Sequence, residues 1–187
     1  MAKDKKTNIE FSFVNINLER RILKRLTKSR NIGQLDLIWP RTGVAKKSAA
    51  REMVFNRGIC DFSSEEWTKR IAFREEIEDH CGLAFAVTES VTAQKARRFL
   101  RLTAKYALKM GADFMEKAMV GYADIASSPM DALAMMLGEK DVPQVIARGV
   151  LDVKDLPKTG EEKTLEINLV PPGSTEVVGK LTLLLKA

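Results

Sequence analysis

Cysteine, histidine and aromatic residues are scarce in this chain, and each shortage excludes a kind of protein. The 187 residues contain two cysteines, Cys60 and Cys81, one histidine, His80, and 6% aromatic residues. Two cysteines are too few for a disulfide framework, so we expect two separate thiols that are buried or half-buried. A disulfide between them is the alternative only if the two cysteines lie on neighbouring strands. A serine or cysteine nucleophile would need His80 as its general base, and nothing in the sequence indicates that Cys60 or any serine reaches His80.

The short motifs of nucleotide and metal enzymes are also absent. The chain has no glycine-rich phosphate loop, no GxGxxG, no CxxC pair and no HExxH. These absences predict that the protein holds no cofactor. They leave enzymatic activity open but favour a protein that is not an enzyme.

Long hydrophobic runs are missing as well. No stretch of about twenty apolar residues occurs, and the start of the chain, residues 1–6, lacks the apolar region of a signal peptide. We therefore expect a cytoplasmic protein with no transmembrane segment. With 45% hydrophobic and 30% charged residues, the chain is long enough for a single domain, residues 1–187, with a substantial core.

Positive charge is concentrated in the first part of the chain. The net charge is +6, but residues 1–51 hold 13 Lys or Arg and 4 Asp or Glu, a balance of +9, so the remainder holds 18 against 21, a balance of −3. Residues 1–8 are predicted to be a basic, flexible leader. The asymmetry is compatible with binding to nucleic acid, to an anionic membrane or to an acidic patch on a protein.

The clearest periodic segment is residues 92–119, which predicts a long amphipathic helix. Its apolar face recurs at helical spacing: Ala96, Phe99, Leu100, Thr103, Ala107, Met110, Gly111, Phe114 and Ala118. The opposite face carries four cations: Arg98, Arg101, Lys105 and Lys109. A second helix is predicted to begin at Ser128-Pro129 and to end at Gly138, so residues 92–138 form a helical pair.

A second basic segment is residues 19–30. Apolar Ile22, Leu23 and Leu26 alternate there with the cations Arg20, Arg21, Lys24 and Arg25. Near-helical spacing favours a basic amphipathic helix, with Asn17 as its cap and Gly33 at its end, although a continuing strand fits nearly as well. Both basic segments are candidate partner-binding surfaces, and a merely solvated face is the commoner role for such charges.

The rest of the chain has the patterns of β-strands. Ile9, Phe11 and Phe13 share one face, and the pattern resumes at Ile16 and Leu18 after a one-residue slip at Val14, which predicts a β-bulge. Further extended runs are 50–62, 67–77, 83–88, 145–153, 164–170 and 177–185, with the second expected to lie beside the first. Residues 31–48 are predicted to be a loop that Trp39 anchors to the core.

Residues 150–157, with the sequence VLDVKDLP, resemble a strand of C2-type lipid-binding domains. The similarity covers these eight residues. Their aspartates are too few for a calcium-binding loop, so the resemblance implies no metal or lipid site here.

One cluster of possible metal ligands occurs, at residues 75–81. If the strand that includes Ile77 continues, Glu76, Glu78 and His80 share one face and form a conceivable ligand set for a divalent metal. A straight strand does not converge three side chains on one point, so a solvent-facing acidic patch is the favoured interpretation.

Together these patterns predict an α+β protein: an antiparallel β-sandwich-like body of six to eight strands with an inserted helical pair. The favoured function is a non-enzymatic interaction or scaffolding module that presents a basic surface to an acidic protein partner or to another copy of itself. The alternatives are a nucleic-acid or anionic-membrane binding protein and, third, a metal-dependent enzyme.

Overall fold

The computed structural model describes residues 6–23, 28–38, 47–77, 80–89 and 145–187. These residues form nine β-strands and one helix of a single turn. The strands are β1 (Thr7–Leu18), β2 (Lys28–Ile38), β3 (Lys47–Asn56), β4 (Ile59–Asp61), β5 (Ile71–Ile77), β6 (Cys81–Thr88), β7 (Val145–Val153), β8 (Glu162–Leu169) and β9 (Gly179–Lys186). The helix, α1 (Trp67–Arg70), lies between β4 and β5.

Every strand pair is antiparallel, and the strands close on themselves. The hydrogen-bonded order is β7-β6-β2-β3-β4-β1-β9-β8, with β5 on the edge of β1 that β4 also uses. The two ends of this order meet, because Arg148 of β7 and Val170 after β8 exchange two backbone hydrogen bonds of 2.8 Å. The sheet therefore folds into two facing layers that share one core.

The alternation in β1 builds one side of that core. Ile9, Phe11 and Phe13 are fully buried, and so are Ile16 and Leu18. The pairing of β1 with β9 shifts register between Phe13 and Asn15. This shift is the predicted β-bulge at Val14, and it keeps the apolar face inward because one extra residue restores the period of two.

Strand β9 completes the same layer between β1 and β8. Leu181, Leu183 and Leu185 have no exposed surface. Their spacing of two places all three on the inner face. This apolar run therefore lies in the interior of the sheet, with a hydrogen-bonded strand on each side.

The α+β class is wrong. Antiparallel strands supply the body of the described part of the chain, and α1 contributes four residues with none buried. Within the described ranges, alternating apolar residues of nine strands fill the core, and no helical layer packs on it. The predicted helical pair at residues 92–138 lies outside the described residues.

The predicted loop at residues 31–48 is also wrong over most of its described length. β2 continues through Ile38, and β3 begins at Lys47. Gly33 ends no helix, because it lies within β2, where a Cβ atom would stand 2.2 Å from Cε of Met53. This glycine leaves room for a core side chain. Trp39 lies outside the described residues.

Two other predicted strands, residues 50–62 and 67–77, differ from the structure in their extent and in their pairing. Residues 50–62 break at Arg57-Gly58 into β3 and β4, and residues 67–70 form α1 before β5 begins. β5 pairs with β1, so it is not the hydrogen-bonded neighbour of β3 that the sequence predicted.

The extended runs predicted at 83–88, 145–153, 164–170 and 177–185 are confirmed, with boundaries that differ by no more than two residues. β1 begins at Thr7, inside the predicted leader of residues 1–8.

Arg51 of β3 anchors the segment between β4 and β5 through its side-chain contacts. Its guanidinium lies 4.4 Å from the centre of the Phe62 ring and donates two hydrogen bonds, of 2.8 and 2.9 Å, to the Glu65 carboxylate. It also donates to the carbonyl of Lys69, at 2.9 Å. Cation–π contact and bidentate pairing together satisfy this half-buried charge.

Both cysteines are free thiols buried in the core, as expected. Burial is the main cause that raises the pKa of Cys60 to about 11; a backbone hydrogen bond at Val54 and the Arg51 charge lower it by less, and the carboxylates of Glu65 and Asp61 add the smallest increases. Burial, together with the Asp152 carboxylate, raises the pKa of Cys81 to about 12. Each thiol stays neutral in the folded protein at physiological pH, so neither is a nucleophile.

We expect a thiol reagent such as Ellman's reagent to label neither cysteine of the folded protein at pH 8, and to label both in urea. The raised pKa values also set a sign for stability against pH. The folded state holds protons that the unfolded thiols release above about pH 9, so the free energy of unfolding should fall as pH rises from 9 towards 12. Native labelling as fast as in urea would contradict the buried placement.

Candidate functional site

Three connections meet at one end of the two layers. They are the residues that follow β1, the two-residue turn Arg57-Gly58 between β3 and β4, and residues 170–178 between β8 and β9. The amide of Leu18 donates to the carbonyl of Gly58 at 2.8 Å, and the amide of Glu19 donates to the carbonyl of Val178 at 2.9 Å. We call the surface formed here by Arg20, Arg21 and Arg57 the basic end.

A tight turn places two of these arginines. The amide of Ile22 donates to the carbonyl of Glu19 at 3.0 Å, and that of Leu23 donates to the carbonyl of Arg20 at 3.1 Å. The turn buries Leu23 and leaves Arg20 and Arg21 exposed. Neither a helix nor a continuing strand forms over these residues. The predicted helix over residues 19–30 is wrong at its other end too, because β2 begins at Lys28.

Arg21 is already paired within the protein. Its guanidinium contacts the carboxylates of Glu176 and Glu19. The hydrogen bond to Glu176, followed by that to Glu19, raises the pKa of Arg21 further above its usual value. Its charge is therefore largely neutralised by the protein's own acids.

Arg20 and Arg57 differ from Arg21. Nε of Arg20 lies 3.5 Å from the backbone carbonyl oxygen of Arg57, and both side chains are exposed. Within the described part of the chain, no carboxylate oxygen lies within ion-pair distance of either guanidinium.

Most other exposed cations in the described residues do have an acid partner. The pairs are Lys6–Glu76, Arg30–Glu52, Lys47–Glu75, Lys69–Glu66, Arg74–Glu10, Lys154–Asp152, Lys180–Glu166 and Lys186–Glu162. The basic end thus carries two guanidinium groups that no carboxylate of the described residues contacts, on a surface where such contacts are the rule; its net charge is +1, because Arg21 contacts both Glu19 and Glu176.

Arg57 also has an unusual backbone. Its φ is +54°, and that of the following Gly58 is +93°. Positive φ at both central residues defines a type I′ hairpin turn, in which Asn or Gly is preferred at the first position. A side chain such as arginine costs roughly 1–2 kcal/mol in this left-handed region. The sequence analysis missed Arg57, because a lone cation before a glycine carries little charge signal.

Exposed apolar side chains flank the basic end. Four large hydrophobic residues are exposed in the described part of the chain, and three lie here: Val54, Ile59 and Val177. Ile59 follows the Arg57-Gly58 turn directly, and Val177 belongs to the β8–β9 connection. The surface therefore combines uncompensated charge with apolar area.

The other predicted partner-binding residues lie outside the described residues: Lys24, Arg25, Arg98, Arg101, Lys105 and Lys109.

The premise of the metal site is wrong. β5 ends at Ile77 and β6 begins at Cys81, so no continuous strand carries Glu76, Glu78 and His80 on one face. Glu76 is exposed and forms an ion pair with Lys6 at 3.6 Å, and Glu78 lies outside the described residues. No group of three or more histidine, cysteine or acidic side chains in the described ranges could hold a metal ion.

No helix in the described ranges is long and apolar enough to cross a membrane. The cytoplasmic location stays a prediction.

No family model matches the chain, and no curated protein matches it. The solved structures that are similar to it include the following two. The C2A domain of plant extended synaptotagmin 1 is 11% identical, with a TM-score of 0.45, and the alignment covers 96% of this chain and 92% of that one. A structure of CC2D1B, which coordinates ESCRT-III activity during the mitotic reformation of the nuclear envelope, is 11% identical, with a TM-score of 0.41, over 98% of this chain and 55% of that one. At these values, neither protein's function transfers to this chain.

Proposed function

We propose that this protein is a non-enzymatic interaction module whose basic end binds an acidic segment of a protein partner. The observation that carries the proposal is the pair Arg20 and Arg57. Both are exposed and lack a carboxylate among the described residues, while most other surface cations are paired within the fold. A partner's acids would supply the compensation that the fold does not.

The composition of the basic end favours a protein partner. Its three described cations are all arginine, and the apolar side chains of Ile59 and Val177 lie at the same end. Arginine is enriched in protein–protein interfaces and lysine is depleted, because the guanidinium is weakly hydrated and is less costly to bury. A protein partner that contacts these arginines would also cover the apolar side chains beside them.

The expected affinity contribution is modest per residue. An exposed ion pair contributes about 0–1 kcal/mol, whereas a charge pair that binding desolvates contributes more. Loss of both Arg20 and Arg57 should therefore weaken binding about tenfold, which corresponds to about 1.4 kcal/mol. Added salt should weaken it too, because the charges are exposed.

The test is fluorescence anisotropy with a labelled peptide rich in glutamate and aspartate. We expect the double variant Arg20→Gln/Arg57→Gln to bind about tenfold more weakly than the unchanged protein. Lys158→Gln is the matched control. Lys158 is exposed and lies in the connection after β7, at the opposite end of the layers, so its loss should change the dissociation constant by less than about twofold.

The alternative partners are outcomes of the same assay. Vesicles containing phosphatidylserine and a single-stranded RNA replace the peptide in two further titrations, and light scattering measures the molar mass of the protein alone. Tighter binding to vesicles or RNA than to the peptide would overturn the proposal of a protein partner. A dimer that dissociates in Arg20→Gln/Arg57→Gln would identify a second copy of the chain as the acidic partner.

A further inference from the structure

We propose that Arg20 and Arg57 bind one phosphate monoester group, carried by a phosphorylated residue of the protein partner. This inference rests on the proposed function, because it names the acidic group that the basic end recognises. Its basis is the juxtaposition of two uncompensated guanidinium groups across the Arg57-Gly58 turn.

The two side chains can reach the same anion. Nε of Arg20 lies 3.5 Å from the carbonyl oxygen of Arg57, and the Cα atom of Arg57 is two covalent bonds from that oxygen. The Arg57 side chain therefore starts beside the Arg20 guanidinium. Both residues are exposed, so neither has to displace a core contact to turn towards a ligand.

The charge of the pair matches a phosphate better than a carboxylate. One carboxylate is enough to pair one arginine, as in Arg51, where a single guanidinium nitrogen donates to both oxygens of Glu65 at 2.8 and 2.9 Å. Two guanidinium groups offer twice the charge and two donor forks. A phosphate monoester carries about −1.5 to −2 charges at pH 7 and three acceptor oxygens, so it can satisfy both.

The neighbouring acids are already engaged elsewhere. Glu19 and Glu176 both contact Arg21. Arg21 thus engages Glu19, the residue beside Arg20 in the chain, and Glu176 of the β8–β9 connection, while the Arg20 guanidinium has no carboxylate contact among the described residues.

The backbone of Arg57 is the second, independent observation. An asparagine or glycine would adopt φ of +54° with less strain in this hairpin turn. Strained residues that the surroundings hold in place cluster at binding sites, where the side chain has a role that the backbone opposes. At an exposed turn whose side chain has no acid partner among the described residues, the part of Arg57 left to have such a role is its guanidinium.

The experiment compares two peptides by isothermal titration calorimetry: an acidic peptide with one phosphoserine, and the same peptide with glutamate in its place. We expect the unchanged protein to bind the phosphopeptide about tenfold more tightly. Arg57→Asn should abolish this preference and raise the Tm by about 2–4 °C, because it removes the turn strain. Arg57→Lys keeps the charge and the strain, so it should lose part of the preference with no gain in Tm.

The pH dependence gives a readout that separates recognition of the phosphate group from recognition of a carboxylate. The phosphate loses half its second charge near pH 6, whereas glutamate stays ionised to about pH 4.3. Lowering the pH from 7.5 to 5.5 should therefore weaken phosphopeptide binding several-fold and leave the glutamate peptide nearly unchanged.

Failure of this inference is distinguishable from failure of the proposed function. Equal affinity for the two peptides, or a preference that survives in Arg57→Asn, would overturn the phosphate site while leaving an acidic protein partner intact. If the variant Arg20→Gln/Arg57→Gln bound both peptides as tightly as the unchanged protein, the phosphate site and the proposed function would both be overturned. Tighter binding of phosphatidic acid vesicles or of inorganic phosphate than of the phosphopeptide would overturn the assignment to a phosphorylated protein.

Discussion

Phe13→Ala is expected to lower the free energy of unfolding by about 3–5 kcal/mol, the usual cost of deleting a fully buried phenyl ring. The Phe13 ring stands where the two layers meet. Its centre lies 5.4 Å from that of Phe62 and 6.3 Å from that of Phe85 in the opposite layer. The guanidinium carbon of Arg51 lies 5.6 Å from the same ring. Removing the ring therefore leaves a cavity between the layers and takes away one face of a half-buried charge.

Urea unfolding followed by circular dichroism measures this loss. Val150→Ala is the matched control, because Val150 also lies in a strand but is 70% exposed. Its truncation should cost less than about 0.5 kcal/mol. If the two variants unfolded at the same urea concentration, Phe13 would not hold the layers together.

Strand β1 shows what the sequence can predict. One face of β1 lines the core and the other is more polar, so apolar residues alternate until the bulge shifts them by one position. The slip between Phe13 and Ile16 is visible in the sequence for the same reason. In a half-buried strand, the alternation of apolar and polar residues therefore predicts which side chains face the core.

Strand β2 shows where this signal disappears. Every residue from Asn31 to Leu37 is buried, including the polar residues Asn31, Gln34 and Asp36. Nε2 of Gln34 donates to both carboxylate oxygens of Asp36, at 3.0 and 3.2 Å. Alternation of apolar and polar residues is confined to the four residues Gln34 to Leu37, because both faces of the strand are buried, and Gly33 adds a false turn signal. The loop prediction failed because burial here is a property of the assembled fold.

The candidate site was predictable only in part. The density of cations identified Arg20 and Arg21, but the acid that helps to neutralise Arg21 is Glu176, 155 residues away. Only the antiparallel arrangement of the strands brings Glu176 to this place. Arg57 carried no charge signal of its own, and its importance comes from its backbone conformation and from its nearness to Arg20. Local density predicts the charge of a surface, whereas the fold decides which charges remain uncompensated.

Gly149→Ala is the second substitution with a large expected effect. Gly149 follows Arg148, whose backbone bonds to Val170 join β7 to β8. A Cβ atom on Gly149 would stand 2.2 Å from the carbonyl oxygen of Asn168 and 2.7 Å from Cγ2 of Ile167. The oxygen belongs to the backbone, so it cannot turn aside as a side chain would. We expect a loss of about 3 kcal/mol, at the upper end for overpacking.

Gly160→Ala separates this close approach from the general freedom of glycine. Gly160 has φ of +86° and nothing within 4 Å of its added Cβ, whereas Gly149 has ordinary backbone angles and a blocked Cβ position. Gly160→Ala should cost about 1 kcal/mol through backbone strain alone. Hydrogen exchange gives the structural readout, because Gly149→Ala should speed the exchange of the Arg148 and Val170 amides, while Gly160→Ala should leave them protected. Equal costs for the two variants, with both amides still protected, would mean that Gly149 does not approach the Asn168 backbone closely enough to exclude a Cβ atom.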